Sequence, residues 1–179
     1  MGKCDIILSQ YFEDNCRYAD LINGFVFEGS QVIGENDIMD GNPVMTGFLS
    51  KVKSFIPIQK YRDTVRKIVF GMNFIVLGLE HQNNIHYGMP VRIMLEDAAG
   101  YDKQLRKLRR QNRRKKRLNP DEFLGGITKE DHFKAVITIV LYYGSEPWWR
   151  ARTLYDLLDL ESVPDEMKSL LNDYRIHIL

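Results

Sequence analysis

A mixed α/β (α+β) domain, with a central mixed sheet flanked by helices, is predicted by three features of this 179-residue sequence. The stretch "AVITIVLYYG" (135–144) is a continuous β-branched run of the kind buried on both faces of a sheet, often in a parallel position. "FIVLGLEHQ" (74–82) is a second apolar run. It is short, interrupted by Gly78 and polar at its tip, which reads as a buried strand rather than a helix. Between the two, Pro90 opens a long stretch in which Val91, Met94, Leu95, Ala98, Tyr101, Leu105 and Leu108 recur at spacings of three and four, predicting one helical stripe. The order helix, strand, strand, helix, strand defines the class.

The remaining elements follow along the chain. Ile7, Phe12, Tyr18, Leu21, Ile22 and Phe25 predict one or two amphipathic helices over 3–27, ending at Gly29. Residues 29–60 are rich in Gly, Ser, Asn and Pro, and predict a long, partly irregular connection with one or two short strands. "YRDTVRKIV" (61–69) alternates and is β-branched, and "FGMN" (70–73) turns it into the next run, so an antiparallel hairpin is expected. "NPDEF" (119–123) and "GG" (125–126) end the long helical pattern. The tail predicts a helix near 151–160, another near 164–173, and a short apolar end, "RIHIL".

A chain of this length fits one domain, 1–179, with a real core, and its 44% apolar and 27% charged residues are ordinary for a globular protein. No apolar stretch reaches the roughly 18 residues needed to cross a bilayer. The start, "MGKCDIILSQ", lacks a signal-peptide pattern, and Ile6 stands where a myristoylation site wants Ser or Thr. Cys4 and Cys16 form no CxxC and have no histidine at zinc-finger spacing, so a reduced cytoplasm without structural zinc is expected. The net charge of +1 hides an asymmetry. Between Lys103 and Arg117, "KQLRKLRRQNRRKKR" carries 10 basic residues (Lys103, Arg106, Lys107, Arg109, Arg110, Arg113, Arg114, Lys115, Lys116, Arg117) and no acid, which leaves the rest of the chain near −9.

Such a run can be a solvated helix face, but the mutual repulsion of ten cations favours an anionic partner that relieves it through phosphate contacts and counterion release. DNA is the expected partner, and no membrane is expected. The run has no aromatic residue, which implies backbone contact with little sequence preference. Arg92, near the start of the long helix, reads either as a phosphate ligand, as the partner of an active-site acid, or as a plain surface residue. His86 reads as a loop or capping residue before a substrate contact, Tyr87 and Met89 as packing residues, and Trp148 and Trp149 as packing against the sheet, ahead of lining an interface or forming a base-stacking platform.

The chemistry-bearing constellation is Asp63, Glu80 and Gln82. Aspartate is disfavoured inside a strand, and Asp63 lies in the first arm of the hairpin. Across it, Glu80 and Gln82 share one face at spacing two, with His81 on the other. Asp63 alone reads as half of an ion pair with Arg62 or Arg66, and Glu80 with Gln82 as a solvated strand end. Two converging carboxylates, however, repel unless a proton or cation compensates. A hard divalent ion, Mg²⁺ or Mn²⁺, suits such oxygen ligands, and it activates water and offsets charge on a phosphoryl oxygen.

"RYADLING", "YRD", "LEHQ", "HYGMPVR" and "VITIVLYYG", in that order, resemble the recombination-promoting nuclease and transposase-associated family, a branch of the PD-(D/E)XK nuclease superfamily. The resemblance spans about residues 3 to 160, and "LEHQ" followed by "MPVR" is its most specific part. It implies a restriction-endonuclease-like core of helix, three strands, helix and strand, with metal-dependent DNA cleavage as the activity. Asp63 matches the metal-binding aspartate and Glu80 the second acid. Gln82 takes the place usually held by lysine, as it does in this branch. The backbone carbonyl of His81 matches a further metal ligand, and Asp20 on the first helix is the candidate for a completing acid. Arg62 stands where the superfamily motif has proline, and Gln82 orients water by hydrogen bonding without lysine's charge. The chain stops at "RIHIL", earlier than family members commonly do, so a short or truncated member is expected. It would act alone, as a homo-oligomer or with a longer relative. The competing expectation is a nucleic-acid-binding protein with a decayed site, or a regulatory partner.

Overall fold

A computed structural model describes residues 3–40, 44–48, 57–61, 64–70, 73–82, 84–115 and 118–179. The chain is mixed α/β, with helices and two small sheets. Two helices come first, α1 (Lys3–Tyr11) and α2 (Asn15–Val26), followed by strands β1 (Ile38–Asp40), β2 (Val44–Phe48), β3 (Pro57–Tyr61), β4 (Thr64–Phe70) and β5 (Asn73–Gln82). Helix α3 (Met89–Lys115) and the single turn α4 (Pro120–Phe123) lead to β6 (Val136–Tyr142). A second short turn, α5 (Asp165–Lys168), precedes β7 (His177–Ile178).

The larger sheet has the order β1-β4-β5-β6-β7, and β2 and β3 form the smaller one. Strands β4 and β5 make the expected hairpin, antiparallel from Thr64↔Leu79 to Phe70↔Asn73. Strand β6 is parallel to β5, as its β-branched run suggested, from Val76↔Val136 to Gln82↔Tyr142. Antiparallel strands can be joined by a tight turn, whereas the parallel pair needs a crossover, and α3 provides it.

Alternation along β6 shows where the helices pack. Ile139 belongs to a cluster with Tyr18, Ala19 and Ile22 of α2, Ile38 of β1 and Ile68 of β4, and Ile137 and Leu141 pack on the same side. Val140 instead joins Met89 and Ile93 of α3 and Ile176. Successive strand residues point to opposite faces, so α2 covers one face and α3 the other. Each fully buried aliphatic side chain contributes about 1.5–3 kcal/mol.

Helix α2 starts where the Asp14 side chain accepts from Arg17 N–H at 3.1 Å. It ends at Val26, three residues before the expected Gly29, whose amide (φ 88°) donates to the Asn23 carbonyl at 2.9 Å. Asn23 is fully buried and acts as a clasp. Its Nδ2 donates to Ile33 O at 2.8 Å, and its Oδ1 accepts from Ile33 N at 2.9 Å. Arg66 of β4 donates Nη2 to the carbonyls of Phe12 and Glu13, which satisfies acceptors just beyond α1.

Three expectations need correction. The connection over 29–60 holds three strands among its described residues, where one or two were expected. The buried stripe of α3 is not the predicted one. Val91 is 37% and Tyr101 40% exposed, whereas Met89, Ile93, Glu96, Asp97, Ala99, Gly100 and Asn112 are buried. The true inner face contains acids and a glycine, which an apolar template passes over. A Cβ on Gly100 would lie 3.1 Å from Val136 Cγ1, so glycine there lets α3 approach β6. Finally, the two tail helices shrink to a 3₁₀ turn (Tyr155–Leu157) and α5. Asp156 accepts from the amides of Arg152 and Thr153, forming a turn instead, and those bonds hold its carboxyl below the usual carboxylate range. Leu157, Leu158, Leu170 and Leu171 are exposed, and short helices without an apolar face to bury are not sustained.

The "RIHIL" end becomes an edge of the sheet: Leu179 N–H donates to Val140 O, and Tyr142 N–H to Leu179 O, both at 2.9 Å. A buried polar lock fastens this tail to α3. Asp97 accepts from Thr138 Oγ1 at 2.6 Å and from the Tyr174 hydroxyl. Asp97→Ala is expected to lower the unfolding free energy by about 2–4 kcal/mol, and Tyr174→Phe by about 1–2 kcal/mol, in urea titrations. Changes within about 0.5 kcal/mol would show that the lock contributes nothing.

Candidate functional site

The sheet register decides which candidate residues come near each other. Strand β5 ends at Glu80, His81 and Gln82, whose backbones pair with Val140, Leu141 and Tyr142 of β6. Val140 is fully buried, so this end of β5 runs beside the core. On the other edge, Thr64 pairs with Leu79. Thr64 follows Asp63 in sequence, and Leu79 precedes Glu80. Asp63 itself lies outside the described residues, and for Glu80 and His81 the description is of backbone alone. Gln82 is half-buried, and its carbonyl accepts from Tyr143 N–H at 3.0 Å.

Beyond Leu79, β5 has no register partner in β4 among the described residues. The described pairing of 80–82 is with β6. Asp20 is exposed on α2, and no cluster of three or more His, Cys, Asp or Glu occurs among the described residues. His86 is an exposed loop residue, and its carbonyl accepts from Met89 N–H at 3.1 Å at the start of α3.

Arg92 is half-buried, and its Nε donates to Glu96 Oε1 at 3.2 Å. Glu96 is fully buried and is not one of the candidate site acids, so this pair matches none of the three readings of Arg92. Glu96 and Asp97 went unnoticed in the sequence. Two adjacent acids inside an apolar stripe were the signal, since carboxylates are buried only when partnered.

Residues 103–115 of the basic segment form the last half of α3, and their cations divide into two groups. A groove of about 450 Å³ is lined by Arg106, Arg109, Arg110, Arg113 and Arg114. Arg106 pairs with Asp102, and Arg109 donates Nε to Gly125 O at 2.7 Å. Along that side Asn112 reaches Asp131 Oδ2 at 2.6 Å, and Gln104 exchanges two hydrogen bonds with the backbone of Lys134. The returning 119–134 segment is thereby strapped to α3. Gly126 (φ 70°) lies so close that a Cβ would come within 2.8 Å of Arg109 Cγ. Lys103, Lys107, Arg110, Arg113 and Arg114 are exposed. Partial desolvation, and then the Lys67 ammonium on β4, lowers the Lys103 pKa below the usual lysine range. Lys115 is described by its backbone alone, and Lys116 and Arg117 lie outside the described residues.

No protein-family model, curated protein or solved structure matches the chain.

The two groups of arginine separate by stability. Arg109→Ala is expected to cost about 1–2 kcal/mol in urea unfolding, because the Gly125 carbonyl loses a charged donor. Arg113→Ala should stay within about 0.5 kcal/mol of wild type.

Proposed function

We propose that this chain is a metal-dependent DNA endonuclease of the PD-(D/E)XK class, belonging to the recombination-promoting nuclease and transposase-associated family and hydrolysing phosphodiester bonds. The observation that carries the reading is the register Thr64↔Leu79 beside Glu80↔Val140, which sets the sequence neighbours of the two acids against each other on a doubly paired strand. The succession α2, β1, β4, β5, α3, β6, with sheet neighbours in the order β1-β4-β5-β6, supports it as well.

The donor set fits a hard ion, since Asp63, Glu80 and the His81 carbonyl offer oxygen only. When bound, Mg²⁺ or Mn²⁺ supplies a more acidic water and offsets negative charge on the phosphoryl oxygen. The chain's own residues do the rest. Gln82 would orient the attacking water through its amide, without adding charge. The exposed cations of α3 would neutralise backbone phosphates, fixing the substrate without reading its bases. Arg92, held by Glu96, would act as a positioning residue rather than as a direct phosphate ligand.

Purified protein is expected to nick or cut supercoiled plasmid with Mg²⁺ or Mn²⁺ and not with excess chelator. Asp63→Ala and Glu80→Ala should each slow cleavage by about a hundredfold or more. Gln82→Lys should retain or raise the rate, because it restores the missing charge. Equal cleavage by Glu80→Ala would remove the assignment. Salt-sensitive DNA binding without any cleavage would favour a decayed, binding-only protein. In either case Arg113→Ala should reduce the slope of log K against log salt by about 0.9.

A further inference from the structure

Strands β5 and β6 run parallel, with Gln82 paired to Tyr142, so the segments that follow them leave the same end of the sheet. There Tyr87 and Trp149 meet, with ring centroids 6.5 Å apart and planes at 80°. The Arg150 guanidinium lies over both rings, its Cζ 3.4 Å from the Trp149 centroid and 4.3 Å from that of Tyr87. Trp148 packs as expected, edge-on to Tyr142 at 5.2 Å, and its Nε1 donates to the Arg150 carbonyl at 3.1 Å, anchoring that backbone. Trp149 and Tyr87 do not follow the packing expectation, being 60% and 61% exposed.

Two large rings held against a cation yet open to water serve no core. Ring faces stack on unpaired bases of any sequence, while an arginine stacked on an aromatic keeps its planar N–H edge for a phosphate. The bases of an intact duplex are stacked on each other and offer no face to such rings. Resting on the nuclease reading above, we infer that Tyr87, Trp149 and Arg150 form a stacking platform for single-stranded DNA. The substrate of the 80–82 site is then single-stranded, or locally unpaired, beside the bond to be cut. The basic face of α3, on the helix that begins two residues after Tyr87, supplies the phosphate contacts farther along.

The test is binding alone, read by fluorescence anisotropy in excess chelator, with a labelled single-stranded oligonucleotide and a fully paired duplex of equal length. Trp149→Ala and Tyr87→Ala are each expected to weaken single-strand binding about tenfold and duplex binding by less than about twofold. Trp149→Phe should keep most of the affinity, and the salt slope should not change, because stacking releases no counterions. Equal loss on both substrates, or no loss on the single strand, would overturn the inference. Cleavage is not read, so a protein that binds without cutting fails the plasmid test and still passes this one.

Discussion

A strand hydrogen-bonded along both edges cannot slip by one residue without breaking two ladders and turning every side chain to the wrong face. Strand β5 is in that position, antiparallel to β4 and parallel to β6. Its β6 neighbour is held in turn from both sides, with Ile139 buried among residues of α2 and Val140 among those of α3. The polar tip of β5 pairs with this anchored strand through Gln82↔Tyr142. A constellation that must hold two carboxylates at fixed separation needs such support, since looseness of about 1 Å is enough to disable a site.

Helix α3 divides into two halves with different duties. Its first half faces the sheet and buries two acids, Glu96 against Arg92 and Asp97 against Thr138 and Tyr174. Burying carboxylates is unfavourable unless each is hydrogen-bonded, and the Asp97 contacts tie the helix to β6 and to the tail in one geometry. Its second half leaves the sheet. There Gln104, Arg109 and Asn112 strap down the 119–134 segment, while Lys107, Arg110, Arg113 and Arg114 stay exposed. Part of what reads as one basic run is thus structural among the described residues.

Much of this was readable in the sequence, for identifiable reasons. The β-branched run of β6, the interrupted run of β5 and the hairpin before it carry strong local signals, and all three strands appear close to the expected bounds. The turn that follows α2 was signalled by Gly29, a residue that tolerates positive φ, although the helix itself stops at Val26. What was missed depends on tertiary partners. Glu96 and Asp97 look like surface residues until Arg92, Thr138 and Tyr174 are brought to them across up to 77 residues. The tail leucines look helical until no surface is found to cover them. Tyr87 and Trp149 are 62 positions apart in sequence, and only the parallel β5–β6 pairing brings their rings together. The Asp63, Glu80 and Gln82 constellation rests on spacing and resemblance. Of it the described residues supply the backbone of 80–82 and the Thr64↔Leu79 register, while Asp63 lies outside them.

The central claim is that Asp63 and Glu80 together bind a divalent ion, and Mn²⁺ binding followed by electron paramagnetic resonance tests it without any nucleic acid. Wild-type protein should take up Mn²⁺ at one site, with Mg²⁺ competing. Asp63→Ala and Glu80→Ala should each lose that site while unfolding in urea as the wild type does. Undiminished Mn²⁺ binding by the two variants would contradict it.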